Sequence, residues 1–173
     1  PLPALKASQW LGTAPKESDL KGAVTIVHFT SPATFCVREL AFVVAAAGEF
    51  ATTPNVVFAA VCDAGASWDK MKDAATKHKV KFALAHDQAA EKAADAPAAD
   101  AAASKKPATD KPAAKAARVR GMTAQACGVS YFPATIVVDR KGVVRAAGLK
   151  ADKLKPVIEK LLAESVDAPK IGG

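Results

Sequence analysis

Thr123-Ala-Gln-Ala-Cys127-Gly-Val-Ser-Tyr-Phe-Pro133-Ala-Thr-Ile-Val-Val-Asp139-Arg-Lys-Gly142-Val-Val144 holds four signals in a row. A short helix is expected near Met122 to Cys127, then the Phe132-Pro133 step, then a β-rich run from Thr135 to Asp139. Arg140-Lys141-Gly142 is a turn, and Val143 to Leu149 returns as the hairpin partner. Downstream, Leu154, Val157, Ile158, Leu161 and Leu162 share one face of a helix expected over about Ala151 to Glu164. Upstream, Ala23 to Phe29 is a short apolar, β-branched run between Lys21-Gly22 and Ser31-Pro32, the pattern of a buried central strand. From Cys36 to Phe50 apolar residues recur at helical spacing. Val56 to Val61 reads as the next buried strand, ending at Cys62-Asp63. A helix over about Ser67 to His78, with Asp69 favouring its first turn, and a strand over Val80 to His86 complete this half. Such a β-α-β-α-β order calls for an α/β fold, a sheet covered by helices.

The texture changes between Leu84 and Val119, where no apolar side chain is larger than Ala or Pro. Residues 90–117 therefore read as a low-complexity, Ala-rich insertion within a single domain spanning 1–173. Its first part reads equally well as an exposed helix broken by Pro97, Pro107 and Pro112. The net charge of +7 is spread along the chain, and Glu91, Asp95, Asp100 and Asp110 offset the lysines of the insertion. No nucleic-acid partner is expected, because no basic stretch is interleaved with aromatics. No run approaches the length of a membrane span. Three cysteines and three histidines show no ligand spacing, so neither a metal nor another cofactor is expected. The chain starts at Pro1, and the expectation is that a signal segment has been removed and that the protein works in the periplasm or elsewhere outside the cytoplasm.

The stretch from Thr123 to Val144 resembles the signature of the redoxin, TlpA-like branch of the thioredoxin superfamily, related to the AhpC/TSA proteins. In that signature a cis-proline, here Pro133, precedes a strand and an Asp-x-x-Gly turn. Leu5-Lys-Ala-Ser-Gln-Trp-Leu-Gly-Thr-Ala-Pro15 is similar to the lead-in of many extracytoplasmic members, with slightly different spacing. Thr25-Ile-Val-His-Phe29 followed by Cys36-Val-Arg-Glu-Leu40 is similar to the family's active-site strand and its Cys-x-x-Cys-Val-Arg-Glu-Leu helix. The resemblance implies a thioredoxin-like fold and a protein or peptide thiol/disulfide partner.

The chain departs from the family where the chemistry lies. Anchored on Cys36-Val-Arg-Glu-Leu40, Cys36 takes the place of the second, resolving cysteine, and Ala33 stands at the nucleophile. Anchored on Phe29, the segment is one residue short and Thr34 stands there. Neither alignment supplies the two sulfurs that a dithiol cycle needs.

Two readings of the residual site are open. In the first, Cys36 is a small buried residue, His28 is a satisfied core histidine, and the protein is a redox-inactive or weakly active binding module. Its groove would lie at Phe132 and Pro133, beside Tyr131, where the family pairs its backbone with an extended substrate segment. In the second, Cys36 is active as a thiol-disulfide oxidoreductase or peroxidase-type thiol. Thr34 would cap the helix, and the helix N-terminus and His28 would tune the sulfur. Cys62 is the candidate second thiol, provided its Cα lies within roughly 7 Å of that of Cys36. The peroxiredoxin spacing is only loosely echoed, since Pro32 to Cys36 is too short. Cys127, His78 and His86 are assigned to packing and surface.

Overall fold

The computed structural model describes residues 2–90 and 121–164. In chain order the elements are β1 (Ala7–Leu11), α1 (Glu17–Leu20), β2 (Val24–Thr30), α2 (Thr34–Glu49), β3 (Val56–Cys62) and α3 (Trp68–Lys77). They continue with β4 (Ala83–Asp87), α4 (Met122–Ala126), β5 (Ala134–Val138), β6 (Val144–Ala147), a 3-10 turn (Ala151–Lys153) and α5 (Leu154–Ala163). One mixed sheet of six strands runs in the order β1-β4-β3-β2-β5-β6. Strand β2 is parallel to β3 and antiparallel to β5, and every one of its residues is buried. That is why Val24, Ile26, Val27 and Phe29 point to both faces and not to one: both faces and both edges are covered, and Thr25, His28 and Thr30 are buried with them.

On one face Val24, Ile26 and Val137 pack under Val43 and Ala46 of α2, under its C-cap Phe50, and under Leu154, Ile158 and Leu161 of α5. The same face continues to Leu40, Ala60, Cys62, Met71, Ala75 and Leu84 beneath α2 and α3. The opposite face buries Val27, Phe29, Val61, Ala85, Ile136 and Val138 under Ala124 of α4, with Leu2, Leu5 and Trp10 from the N-terminal segment. Full burial of an aliphatic side chain such as Leu40 stabilises the fold by about 1.5–3 kcal/mol, so these layers, more than helix propensity, fix the elements.

The strands either side of residues 91–120 belong to the same sheet. Ala89 bridges Gly121, and the Met122 N–H donates to the Gln88 carbonyl at 2.7 Å, so the two described ends meet. Apart from Ala90, the 90–117 segment lies outside the described residues.

Several local readings are corrected. The strand expected from Val80 begins at Ala83, because α3 closes on a C-cap at His78 with Lys79 left-handed at φ 54°. The Val80 N–H then donates to Ala75 C=O, and the Lys79 N–H to Thr76 C=O, the paired bonds that terminate a helix. The cap of α2 is Ala33, with Thr34 as its first helical residue and no side-chain capping bond. The lead-in stretch forms edge strand β1, antiparallel to β4, and α1 follows it.

Candidate functional site

Strands β2, β3 and β4 end side by side, and their register sets Thr30 opposite Cys62 and Cys62 opposite His86. Side chains in one such row project to the same face, here the face under α2 and α3. The chain leaves Thr30 through Ser31-Pro32 and enters α2 at Thr34, which places Cys36 in the first turn. Cys36 is 4 % exposed. The Ser31 hydroxyl donates to Cys36 Sγ at 3.2 Å. Between Ser31 and Val37 Cys36 is the one sulfur-bearing residue, so no Cys-x-x-Cys disulfide forms within this turn.

Cys62 is fully buried and donates weakly to the Asp63 carbonyl at 3.7 Å. Burial first, then the negative fields of Asp63, Cys36 and Asp87, push its thiol up to about 12. At neutral pH it is therefore a thiol. Cys127 caps α4 at its C-terminus, is half-buried, and burial together with Asp87 pushes it up to about 11. All three cysteines are free.

His28 lies two residues below Thr30 on β2, 1 % exposed, with Nδ1 hydrogen-bonded to Thr135 Oγ1 at 2.9 Å. Burial lowers its pKa to about 4, so the ring is neutral at physiological pH. Its hydrogen bond runs to β5, whereas that of Cys36 runs to Ser31; hydrogen bonding does not join the two. Among the described residues the buried side-chain atoms that lack a partner are His28 Nε2, Thr30 Oγ1 and both ring nitrogens of His86. His86 is thus no surface residue. Its ring stacks on Trp68, half-buried at the start of α3, at 5.1 Å and 9°.

At the same end of the sheet the Phe132–Pro133 peptide is cis. The Phe132 ring packs edge-on to Phe29 at 6.5 Å, while Tyr131 stands 58 % exposed. Across from it the first turn of α2 presents Phe35, 54 % exposed, with the Arg38 guanidinium 5.1 Å from its ring centre. Among the described residues no turn or side-chain hydrogen bond engages the backbone of Ser130, Tyr131 or Phe132. Ser31, Phe35, Thr135 and the Trp68–His86 pair are not legible as site residues in the sequence: Thr135 falls in the Thr123–Val144 stretch but at no position that the signature specifies, and the others fall in no motif. The one available signal is position: Ser31 and Thr135 each lie within two residues of a proline at a strand end.

A mixed sheet with β2 parallel to β3 and antiparallel to β5, helices on both faces, and a cis-proline at the end where α2 begins is the thioredoxin-like fold. Solved structures of this fold are similar over nearly the whole chain. A thiol-disulfide isomerase from Corynebacterium glutamicum is 18% identical, with a TM-score of 0.68 over 95% of this chain and 97% of that one. A secreted Mycobacterium tuberculosis disulfide oxidoreductase homologous to E. coli DsbE is 15% identical, with a TM-score of 0.55 over 83% and 86%. A thiol-disulfide oxidoreductase from Bacteroides fragilis is 9% identical, with a TM-score of 0.60 over 90% and 99%. No family model and no curated protein matches the chain. Among the described residues no helix is long and apolar enough to cross a membrane.

Proposed function

We propose that this chain is a redoxin-type, TlpA-like member of the thioredoxin superfamily that binds an extended polypeptide beside Pro133 and performs little or no disulfide turnover. One contrast carries the reading. The remaining motif cysteine is 4 % exposed, whereas Tyr131 and Phe35, at the same sheet end, are each more than half exposed. Exposed aromatics beside unengaged backbone suit strand addition, in which main-chain hydrogen bonds give affinity and the rings give selectivity. The reading treats residues 1–173 as one domain interrupted by the 90–117 segment. An extracytoplasmic setting fits it, and one of the similar solved proteins is described as secreted.

A second reading, thiol chemistry at Cys36 with a protein thiol or disulfide partner, is favoured by the Ser31 hydroxyl aimed at its sulfur. Two assays separate them. The insulin B chain with its thiols carboxymethylated cannot exchange disulfides, so its binding reports the face alone. Binding that falls at least about tenfold in Tyr131→Ser, worth about 1.4 kcal/mol, with insulin reduction at background, supports the first reading. Insulin reduction above background that disappears in Cys36→Ser establishes the second in its place.

A further inference from the structure

The geometry points to Cys36 and Cys62 as a reversible intramolecular disulfide pair, linking α2 to β3 instead of closing a turn within the motif. This goes beyond the binding reading and does not rest on it: it is an oxidation of the protein itself.

The placement follows from two repeats. Leu40 and Ala60 share one fully buried cluster between α2 and β3. Cys36 is four residues before Leu40, one helical turn and about 6 Å back along α2, and faces the same way. Cys62 is two residues after Ala60, ~6.6 Å further along β3 on the same face. Because α2 runs back down the strand it follows, the two steps are in the same direction and nearly equal in length. The two steps carry Cys36 to the sheet end where Cys62 lies, both buried on the face that holds Leu40 and Ala60. The field of Cys36 reaches the Cys62 thiol and helps to push it up. Beside them lie the unpartnered, fully buried Thr30 hydroxyl and the unpartnered nitrogens of His86, both in the row of Cys62.

The oxidant is a low-molecular-weight disulfide, RSSR. The Cys36 sulfur, in the helix's first turn, attacks one RSSR sulfur as thiolate; the new S–S bond forms and RS⁻ leaves, taking up a proton as RSH. The Cys62 thiol then attacks Cys36 Sγ, forming the Cys36–Cys62 bond as the bond from Cys36 to SR breaks; the proton of Cys62 passes to the departing sulfur, which leaves as a second RSH. Two protein thiols become one disulfide and RSSR becomes two RSH, so atoms and electrons balance. The buried, high-pKa thiol of Cys62 does not serve as the first nucleophile.

The test uses the full reduced chain and oxidised glutathione as the probe. After oxidation, remaining thiols are alkylated, and the chain is digested without reductant and mapped by mass spectrometry. The expected result is loss of two of the three thiols, a peptide joining Cys36 to Cys62, and alkylated Cys127. Dithiothreitol restores all three. Cys127→Ser forms the same link, and Cys36→Ser and Cys62→Ser form none. A stable glutathione adduct on Cys36 with Cys62 still a thiol overturns the pairing, as does any link through Cys127. Failure to lose thiols at all overturns it too. The wild-type map decides the matter even where a serine variant fails to fold.

Discussion

The Asp87 carboxylate occupies the space that a side chain at residue 121 would need. A Cβ placed on Gly121 would lie 1.9 Å from Asp87 Oδ2 and 2.2 Å from its Cγ. The backbone of Gly121 is ordinary, with φ −76°, so glycine is required there for room and not for conformation. Asp87, buried at the end of β4, uses both oxygens to accept the Thr123 and Ala124 N–H groups at 3.0 Å each, satisfying the first turn of α4.

Gly121→Ala is therefore expected to drive Asp87 from these donors and cost about 2–4 kcal/mol, read from urea melts. Asp87→Gly removes the same bonds and also the Asp87 Cβ, which would lie 2.7 Å from the added methyl carbon. The double variant should be no less stable than Asp87→Gly alone, because the clash created by Gly121→Ala then has no partner. Additive losses in the cycle would show that Gly121 serves something other than the approach of Asp87.

Acid should weaken the fold through His28 before it does so through the carboxylates. Burial lowers the pKa of His28 from 6.5 to about 4, so below pH 6.5 the unfolded chain takes up the proton first. Stability from this group is whole above pH 6.5 and is lost as pH falls toward 4, in total about 3 kcal/mol at 1.36 kcal/mol per unit. Against the push of burial, hydrogen bonds from the Val143 N–H, Arg145 and the Lys141 N–H hold Asp139 below its ordinary value. Its contribution is present above the unfolded carboxylate value and goes only at lower pH. Urea melts between pH 7 and 4 should show the slope in wild type and a flatter profile in His28→Gln. Equal slopes would remove His28 as the cause.

How far the sequence carried this picture depends on where information is local. The run Val24–Thr30 could be read because its apolar, β-branched residues lie between Lys21-Gly22 and Ser31-Pro32, and the cis Phe132-Pro133 step because the stretch around it resembles a known signature. Strand β1 could not: an edge strand with Ser8 and Gln9 exposed has no alternation to read. Lys79 gave no sign of its left-handed backbone, since lysine has no preference for it and packing of Val80 imposes it. The candidate residues Cys36, Cys62 and His28 stood out by type, but the bonds that define them did not. Thr135 lies more than a hundred positions from His28, and only the sheet register brings them together.

Replacing residues 91–120 by a short Gly-Ser linker should leave the sheet intact. Ala89 and Gly121 are already bridged, and Met122 is tied to Gln88, so the linker has almost no distance to span. Shortening a loop of this length lowers its closure entropy, so stability should be unchanged or rise by about 1–2 kcal/mol. Binding of the carboxymethylated B chain should persist. A melting temperature lowered by many degrees would show that the segment contributes to the folded domain, and lost binding alone would place it in the binding face.

Gly148 ties the far strand to the proposed face. Its φ is +70°, and a Cβ there would meet the Tyr131 hydroxyl at 2.8 Å. Gly148→Ala thus carries backbone strain of about 1 kcal/mol and pushes the Tyr131 ring from its resting place. The expected outcome is a modest fall in melting temperature with a several-fold loss of B-chain affinity by titration calorimetry. Tyr131→Phe removes the oxygen that the added methyl group would strike. Combined with Gly148→Ala, it should recover affinity while the backbone strain, and hence the lowered melting temperature, stays. Recovery of neither would mean that the ring's position does not govern binding. Affinity untouched by Gly148→Ala would move the groove away from Tyr131 altogether.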